Sequence, residues 1–254
     1  MTEDIQVGPN PDYGTGIFRR RIRLVSTGNQ VQADLEDCNH AFRLTLLHDG
    51  QQVTGITAEP IRFPFNTCPG ALVNLQGFIG CALSASIPEI RQFVRPEQNC
   101  THLYDLATLA LAHVAHGRTV RQYDVAIPDE RDGVLPTEVS CDGLLQHSWQ
   151  IRQREIIFPP HLAGKPIMKG FYQWATAEFA GDALEAAEVL QRGYFVSHTR
   201  RLDLKSSVGR PAFGDRMPEG SCYSYNRGVV EHAFQACDNV RDFTDTPELL
   251  LRFV

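Results

Sequence analysis

The chain has 254 residues, 43% hydrophobic and 21% charged, with a formal net charge of −6. Such a balance suits a globular core, and the negative charge argues against a nucleic-acid footprint. No apolar run approaches the roughly 20 residues that a membrane span needs. The opening M-T-E-D-I-Q-V-G-P-N-P has no signal-peptide core, so the cytosol is the expected compartment.

Residues 1–17, with Pro9, Pro11, Gly14 and Gly16, read as a loosely held arm, and residues 18–254 as a single α+β domain. From Phe18, F-R-R-R-I-R-L-V alternates apolar and polar, T-G-N makes a turn, and V-Q-A-D-L-E-D alternates again. A-F-R-L-T-L-L-H and Q-Q-V-T-G-I-T-A then flank Asp49-Gly50, a strong hairpin signal. Residues 18–60 are therefore expected to form a four-stranded antiparallel meander. The basic run Arg19-Arg20-Arg21 with Arg23 reads as a polar strand edge or a local anion site.

Pro60 and Pro64 end the sheet pattern, and T-C-P-G-A starts a helix, since proline suits the first helical position. S-I-P-E-I-R-Q-F-V predicts a short helix capped by Ser86. N-C-T-H-L-Y-D-L-A-T-L-A-L-A-H-V-A-H-G has clear helical period and stops at Gly117, closing a meander-plus-helix half over 18–117. In the remainder, 118–254, T-V-R-Q-Y-D-V-A-I-P reads as a strand. V-L-P-T-E-V-S-C and L-L-Q-H-S-W-Q-I-R-Q-R-E-I-I-F read as a hairpin around Asp142-Gly143. One interrupted helix or two, with Gly181-Asp182 between them, follow. A loop-rich end is expected to be anchored by Phe213, Phe234, Phe243 and the terminal L-L-L-R-F-V.

Seven cysteines with no C-x-x-C spacing are expected to be thiols, most of them small buried hydrophobes. Cys68, just ahead of Pro69, sits at a helix start, where free N–H groups and the dipole favour a thiolate; a buried cap is the alternative. Arg62 upstream is placed to clamp a substrate carboxylate. Cys100 repeats the arrangement ahead of the long helix. His102 and Asp105, three apart, share a face, so the carboxylate can orient the imidazole as a base or ligand.

His113 and His116 have H-x-x-H spacing but also suit a helix C-terminus. Asp37, Cys38 and His40 fall between the second and third strands and join a site only if that loop folds towards Cys68. Tyr223 and Tyr225 alternate with serines as on a strand, either walling an aromatic pocket and donating to an oxyanion or packing as ordinary amphipathic residues. No dinucleotide fingerprint, phosphate loop, nucleophile elbow or H-E-x-x-H is present, so no nucleotide cofactor is expected.

The motifs R-F-P-F-N-T-C-P-G-A and N-C-T-H-L-Y-D-L resemble a bacterial family catalogued as domain of unknown function 2889. Arg62, Pro64, Cys68, Cys100, His102 and Asp105 carry that resemblance, which covers roughly residues 18 to 200 and implies a bacterial source but no established activity. The order of strands and Cys-led helices is also similar to iron–sulfur scaffold proteins, an analogy of fold alone.

Two functional expectations result. In the first, a catabolic lyase, isomerase or hydrolase takes a carboxylated or phenolic small molecule. Cys68, Cys100, His102 and Asp105 are its catalytic set, with Arg62, Tyr223 and Tyr225 binding substrate. In the second, Cys68, Cys100 and His102 bind a metal or iron–sulfur cluster. Neither nucleic acid nor membrane is an expected partner, and a homo-oligomer is compatible with both.

Overall fold

A computed structural model describes residues 7–212 and 217–253. Eight strands form one antiparallel sheet in the order β4-β3-β2-β1-β5-β6-β7-β8. The expected meander is present as β1 (Ile17–Thr27), β2 (Gln30–Asp37), β3 (Ala41–His48) and β4 (Val53–Arg62). The two halves of the chain fuse because β1 pairs along its length with β5 (Val120–Pro128), the strand that follows the long helix. The second hairpin is β6 (Leu135–Cys141) and β7 (Leu144–Arg152). The run expected as one strand after Gly143 is split in two. Gln153 and Arg154 both take positive φ (50° and 69°), a tight turn without glycine or asparagine, and β8 (Glu155–Phe158) folds back.

One face of the sheet carries the core. In β1 it presents Phe18, Arg20, Ile22 and Leu24, opposite Asp37, Leu35 and Ala33 of β2. Two helices cover this face: α2 (Thr101–Ala115) over β1 to β3, and α4 (Gly181–Ser197) over β5 to β7. The shorter α1 (Ile87–Phe93) has the expected Ser86 cap, closed by Glu89 in a capping box. A second short helix, α3 (Phe171–Glu178), is separate from α4 because Phe179 and Ala180 are extended. The helix expected after Thr67 is a 3-10 segment, Cys68–Phe78, with Pro69 in its first turn.

The opposite face is polar. There Arg21 pairs with Asp124 at 2.6 Å and Arg43 with Asp34 at 2.9 Å. The C-terminal segment crosses this face, with Leu250 and Leu251 buried and the Leu251 N–H donating to Glu36 Oε2 at 2.6 Å. Phe243 is buried as expected, whereas Phe234 is 42% exposed and does not anchor the tail; Phe213 lies outside the described residues. Residues 1–6 of the arm also lie outside them. The described part of the arm is fastened, since the Gly14 and Gly16 N–H groups both donate to Asp129. Among the described residues no helix is long and apolar enough to cross a membrane.

Helix α4 approaches the sheet closely at Gly193, where an added Cβ would lie 2.8 Å from Val125 Cγ1. Alanine for glycine in a helix ordinarily gains about 1 kcal/mol. Here it meets a stiff β-branched neighbour, and overpacking costs about 1–3 kcal/mol. Gly193→Ala is therefore expected to lower stability in urea unfolding, and an unchanged or raised midpoint would contradict this packing.

Candidate functional site

The polar cluster on the apolar face starts from strand register. Arg20 and Asp37 lie directly opposite each other on β1 and β2. Both are sealed, with side-chain exposures of 2% and 0%. Arg20 Nη2 donates to Asp37 Oδ2 at 2.7 Å, and its Nε donates to the same oxygen at 3.0 Å. Isolated charges at this depth would be costly, so the pair is bound to exist together.

The turn after β2 brings a third member. Asp37 Oδ1 accepts from the backbone N–H groups of Asn39 and His40 and from His40 Nδ1 at 3.0 Å. This fixes the imidazole with its proton on Nδ1 and leaves Nε2 as an acceptor. His40 is the most open of these side chains, at 10% exposure, and its Nε2 is not among the sealed unpartnered atoms. The cluster's fourth member, His102, comes from the first turn of α2 and stacks on His40 with ring centroids 3.8 Å apart and planes at 28°.

Arg20 Nη2 also lies 3.1 Å from His102 Nε2. A guanidinium can only donate, so Nε2 accepts and the His102 proton sits on Nδ1, towards Thr101 Oγ1 at 3.5 Å and Cys100 Sγ at 4.0 Å. Burial, with His40 and Arg20 beside it, holds the His102 imidazole well below its usual range, and it is neutral. For Asp37 burial acts in the opposite sense, yet His40 and Arg20 prevail and keep its carboxyl well below the carboxylate range.

Arg62 does not face a substrate. It is buried at the end of β4. Its Nη1 donates to the Cys38 and Asn239 carbonyls, and its Nη2 to Glu36 Oε1 and the Asp37 and His40 carbonyls. Its role is to clamp the turn that presents Asp37 and His40. Asp105 does not orient His102: its Oδ2 meets Arg192 Nε of α4 at 3.2 Å.

The helix-start cysteines are not activated thiolates. Burial pushes Cys68 up to about 11 and Cys100 further still, outweighing the helix terminus. Cys68 Sγ lies 3.6 Å from Ser224 Oγ, and the Tyr223 N–H donates to the Asn99 carbonyl, so the 222–225 segment meets both cysteine-bearing turns. That segment is a 3-10 turn, not a strand. Tyr225 packs edge-on against Phe65 at 5.5 Å, and Tyr223 lies over Gly70, where any Cβ would collide with its ring. His113 is buried and His116 exposed, so they do not form a joint site.

One ligand atom each from Asp37, His40 and His102 lies within 4.8 Å of the others, a set able to hold a metal ion. The fit is poor, because Arg20 already places positive charge against Asp37 Oδ2 and His102 Nε2. Two nearly parallel stacked rings also direct their in-plane lone pairs alongside each other, not to one point. A groove of about 180 Å³, lined by Arg19, Glu138, Leu145, Pro247 and Leu250 among others, lies on the opposite face. It contains none of these four residues.

The fold and this site define an open-sheet α+β protein with a buried arginine–carboxylate–imidazole network. A family model described as "Protein of unknown function (DUF2889)" matches residues 22–116, a span that includes Asp37, His40, Arg62, Cys68, Cys100 and His102 and stops short of Arg20. The chain matches no curated protein.

Two outcomes are expected. The folded state holds His102 neutral, so its contribution to stability is full above the ordinary imidazole value of 6.5 and is lost as pH falls below it. Asp37, also depressed, adds a further loss below its ordinary 3.8. Thermal melts from pH 8 to 4 should fall below pH 6.5, with a shallower fall in His102→Gln; identical slopes would contradict the assignment. At pH 8, mass spectrometry after brief thiol alkylation should find exposed Cys237 labelled, with Cys68 and Cys100 labelled only on unfolding.

Proposed function

We propose that this protein is an enzyme of small molecules, acting by proton transfer without a nucleotide cofactor. His40 is the general base through Nε2, Asp37 orients it and stabilises the imidazolium it becomes, and Arg20 keeps Asp37 ionised. His102 is a neutral stacking partner that fixes the ring plane. The observation that carries this reading is the Asp37–His40 contact, which holds the ring through Nδ1 and leaves the accepting role to Nε2, on a side chain 10% exposed. A base oriented in this way suits lysis, isomerisation or hydrolysis of a carboxylated or phenolic substrate. Cys100, protonated beside His102, is a weak acceptor facing the His102 Nδ1–H in this scheme and not a nucleophile.

A metal-binding reading draws on Asp37, His40 and His102 and on the compactness of their ligand atoms. It is second because it needs Arg20 to leave. Elemental analysis of purified protein separates the two, since stoichiometric metal at this cluster would favour the second.

The direct test of proton transfer is hydrogen–deuterium exchange in D2O on a panel of carboxylated and phenolic carbon acids, followed by NMR. The wild-type chain should exchange at least one of them. His40→Ala should lose that exchange by about 10²-fold or more, within the range for removing a general base. Exchange that survives in His40→Ala at the wild-type rate would sink the assignment.

A further inference from the structure

The cluster has no charged side chain free to hold a substrate anion: Arg20 is taken by Asp37 and His102, and Arg62 by the turn. One guanidinium beside it is differently placed. Arg192 of α4 is 50% exposed and, among the described residues, has a single ion pair, to Asp105, which lies one turn along α2 from His102. We propose that Arg192 is the carboxylate-binding residue at the mouth of the site, and that a carboxylate-bearing ligand engages it by displacing Asp105. This proposal rests on the proton-transfer reading for the identity of the site it serves.

The exchange is chemically even, because one carboxylate replaces another on the same guanidinium. Its location also fits the way the helices are joined. At its N-terminal end α4 is tied to the turn after α2 and to β5: Arg118 pairs with Glu185 at 2.8 Å and also with Asp182, and Arg121 binds Asp182 at 2.8 Å. Among the described residues the Arg192–Asp105 contact is the one ion pair between α2 and α4 themselves, and it lies at the end beside His102. A partly exposed pair of this kind is worth little and opens readily.

Displacement should be accompanied by proton uptake. Glu188 lies one turn before Arg192 on α4, and burial raises its carboxyl to about 7, with Arg192 opposing and Asp105 and Glu185 adding to the rise. Tyr172 of α3 also faces it, with Arg91 of α1 nearby, and Arg20 of β1 acts on Asp105. When Arg192 turns to a ligand, Asp105 and Glu188 lose their shared counter-charge, and one of them takes a proton from solvent.

The test is calorimetric titration of the full chain with benzoate, and with benzyl alcohol as the uncharged control, at pH 7.5 in two buffers of different ionisation enthalpy. Benzoate should bind with proton uptake and benzyl alcohol at least tenfold more weakly. Arg192→Ala should lose benzoate binding at least tenfold, while Asp105→Asn, with its competing charge removed, should gain affinity. Absence of benzoate binding, equal binding by Arg192→Ala, or a loss in Asp105→Asn would overturn the proposal. Imidazole 15N shifts of His40, recorded in the same samples, keep the two readings apart. Binding at Arg192 with no response at His40 would leave the anion site and remove the base; a titrating His40 without benzoate binding would do the reverse.

Discussion

Arg20 and Asp37 face each other across two strands on a largely apolar surface, and much of the surrounding structure serves that one pair. Neither charge could stay there without the other, because burial penalises an unpaired ion by several kcal/mol. The carboxylate has a second oxygen to satisfy, which draws in the His40 imidazole and the backbone of the turn. The guanidinium has a further donor, which reaches His102 at the start of α2. Arg62, from the next strand but one, then fixes the turn through the carbonyls it exposes on the inside. The network thus ties three strands and a helix together before any ligand is considered.

The covering helices add an asymmetry. α4 is held at its N-terminal end through Asp182 and Glu185 to Arg118 and to Arg121 of β5, whereas beside His102 and the Asp37 turn it meets α2 through the lighter Arg192–Asp105 pair. Regions with exposed, few and replaceable contacts open at lower free energy than the core. A cluster that is nearly closed in the resting state is therefore beside the part of the cover most able to move. Burial then has two effects: it keeps His102 neutral and holds the cysteine thiols protonated, while the Asp37 carboxylate remains charged because Arg20 and His40 accompany it.

Much of this was legible in the residues and part was not. The meander followed from alternation and from Asp49-Gly50, and the long helix from its period and Gly117. The sequence logic placed chemistry at the helix starts, and His102 is indeed in the cluster, but its partners come from strands. The signal for them was present: in F-R-R-R-I-R-L-V, Arg20 falls in phase with Phe18, Ile22 and Leu24, and Asp37 falls in phase with Val31, Ala33 and Leu35. A charge in phase with apolar neighbours is a buried charge, and two of them on adjacent strands call for pairing. Three features could not be read: the β1–β5 pairing, which is non-local; the glycine-free turn at Gln153-Arg154; and the burial that defeats the helix dipole at Cys68 and Cys100. Each depends on tertiary placement that local pattern does not encode.

The choice between proton transfer and metal binding comes down to where positive charge already sits. A divalent ion shared by Asp37 and His102 would occupy the space that the Arg20 Nη2 group fills, and would have to expel a buried guanidinium that has no other carboxylate partner among the described residues. Replacing a buried ion pair by apolar residues is often neutral or stabilising, so the network is poorly explained as a device for stability alone. What it does hold is one carboxylate favoured as the anion and one imidazole favoured as the neutral ring, with a second imidazole held against both. In the proton-transfer reading, that division of charge states is what lets a single histidine take up and release a proton while its neighbours keep theirs fixed.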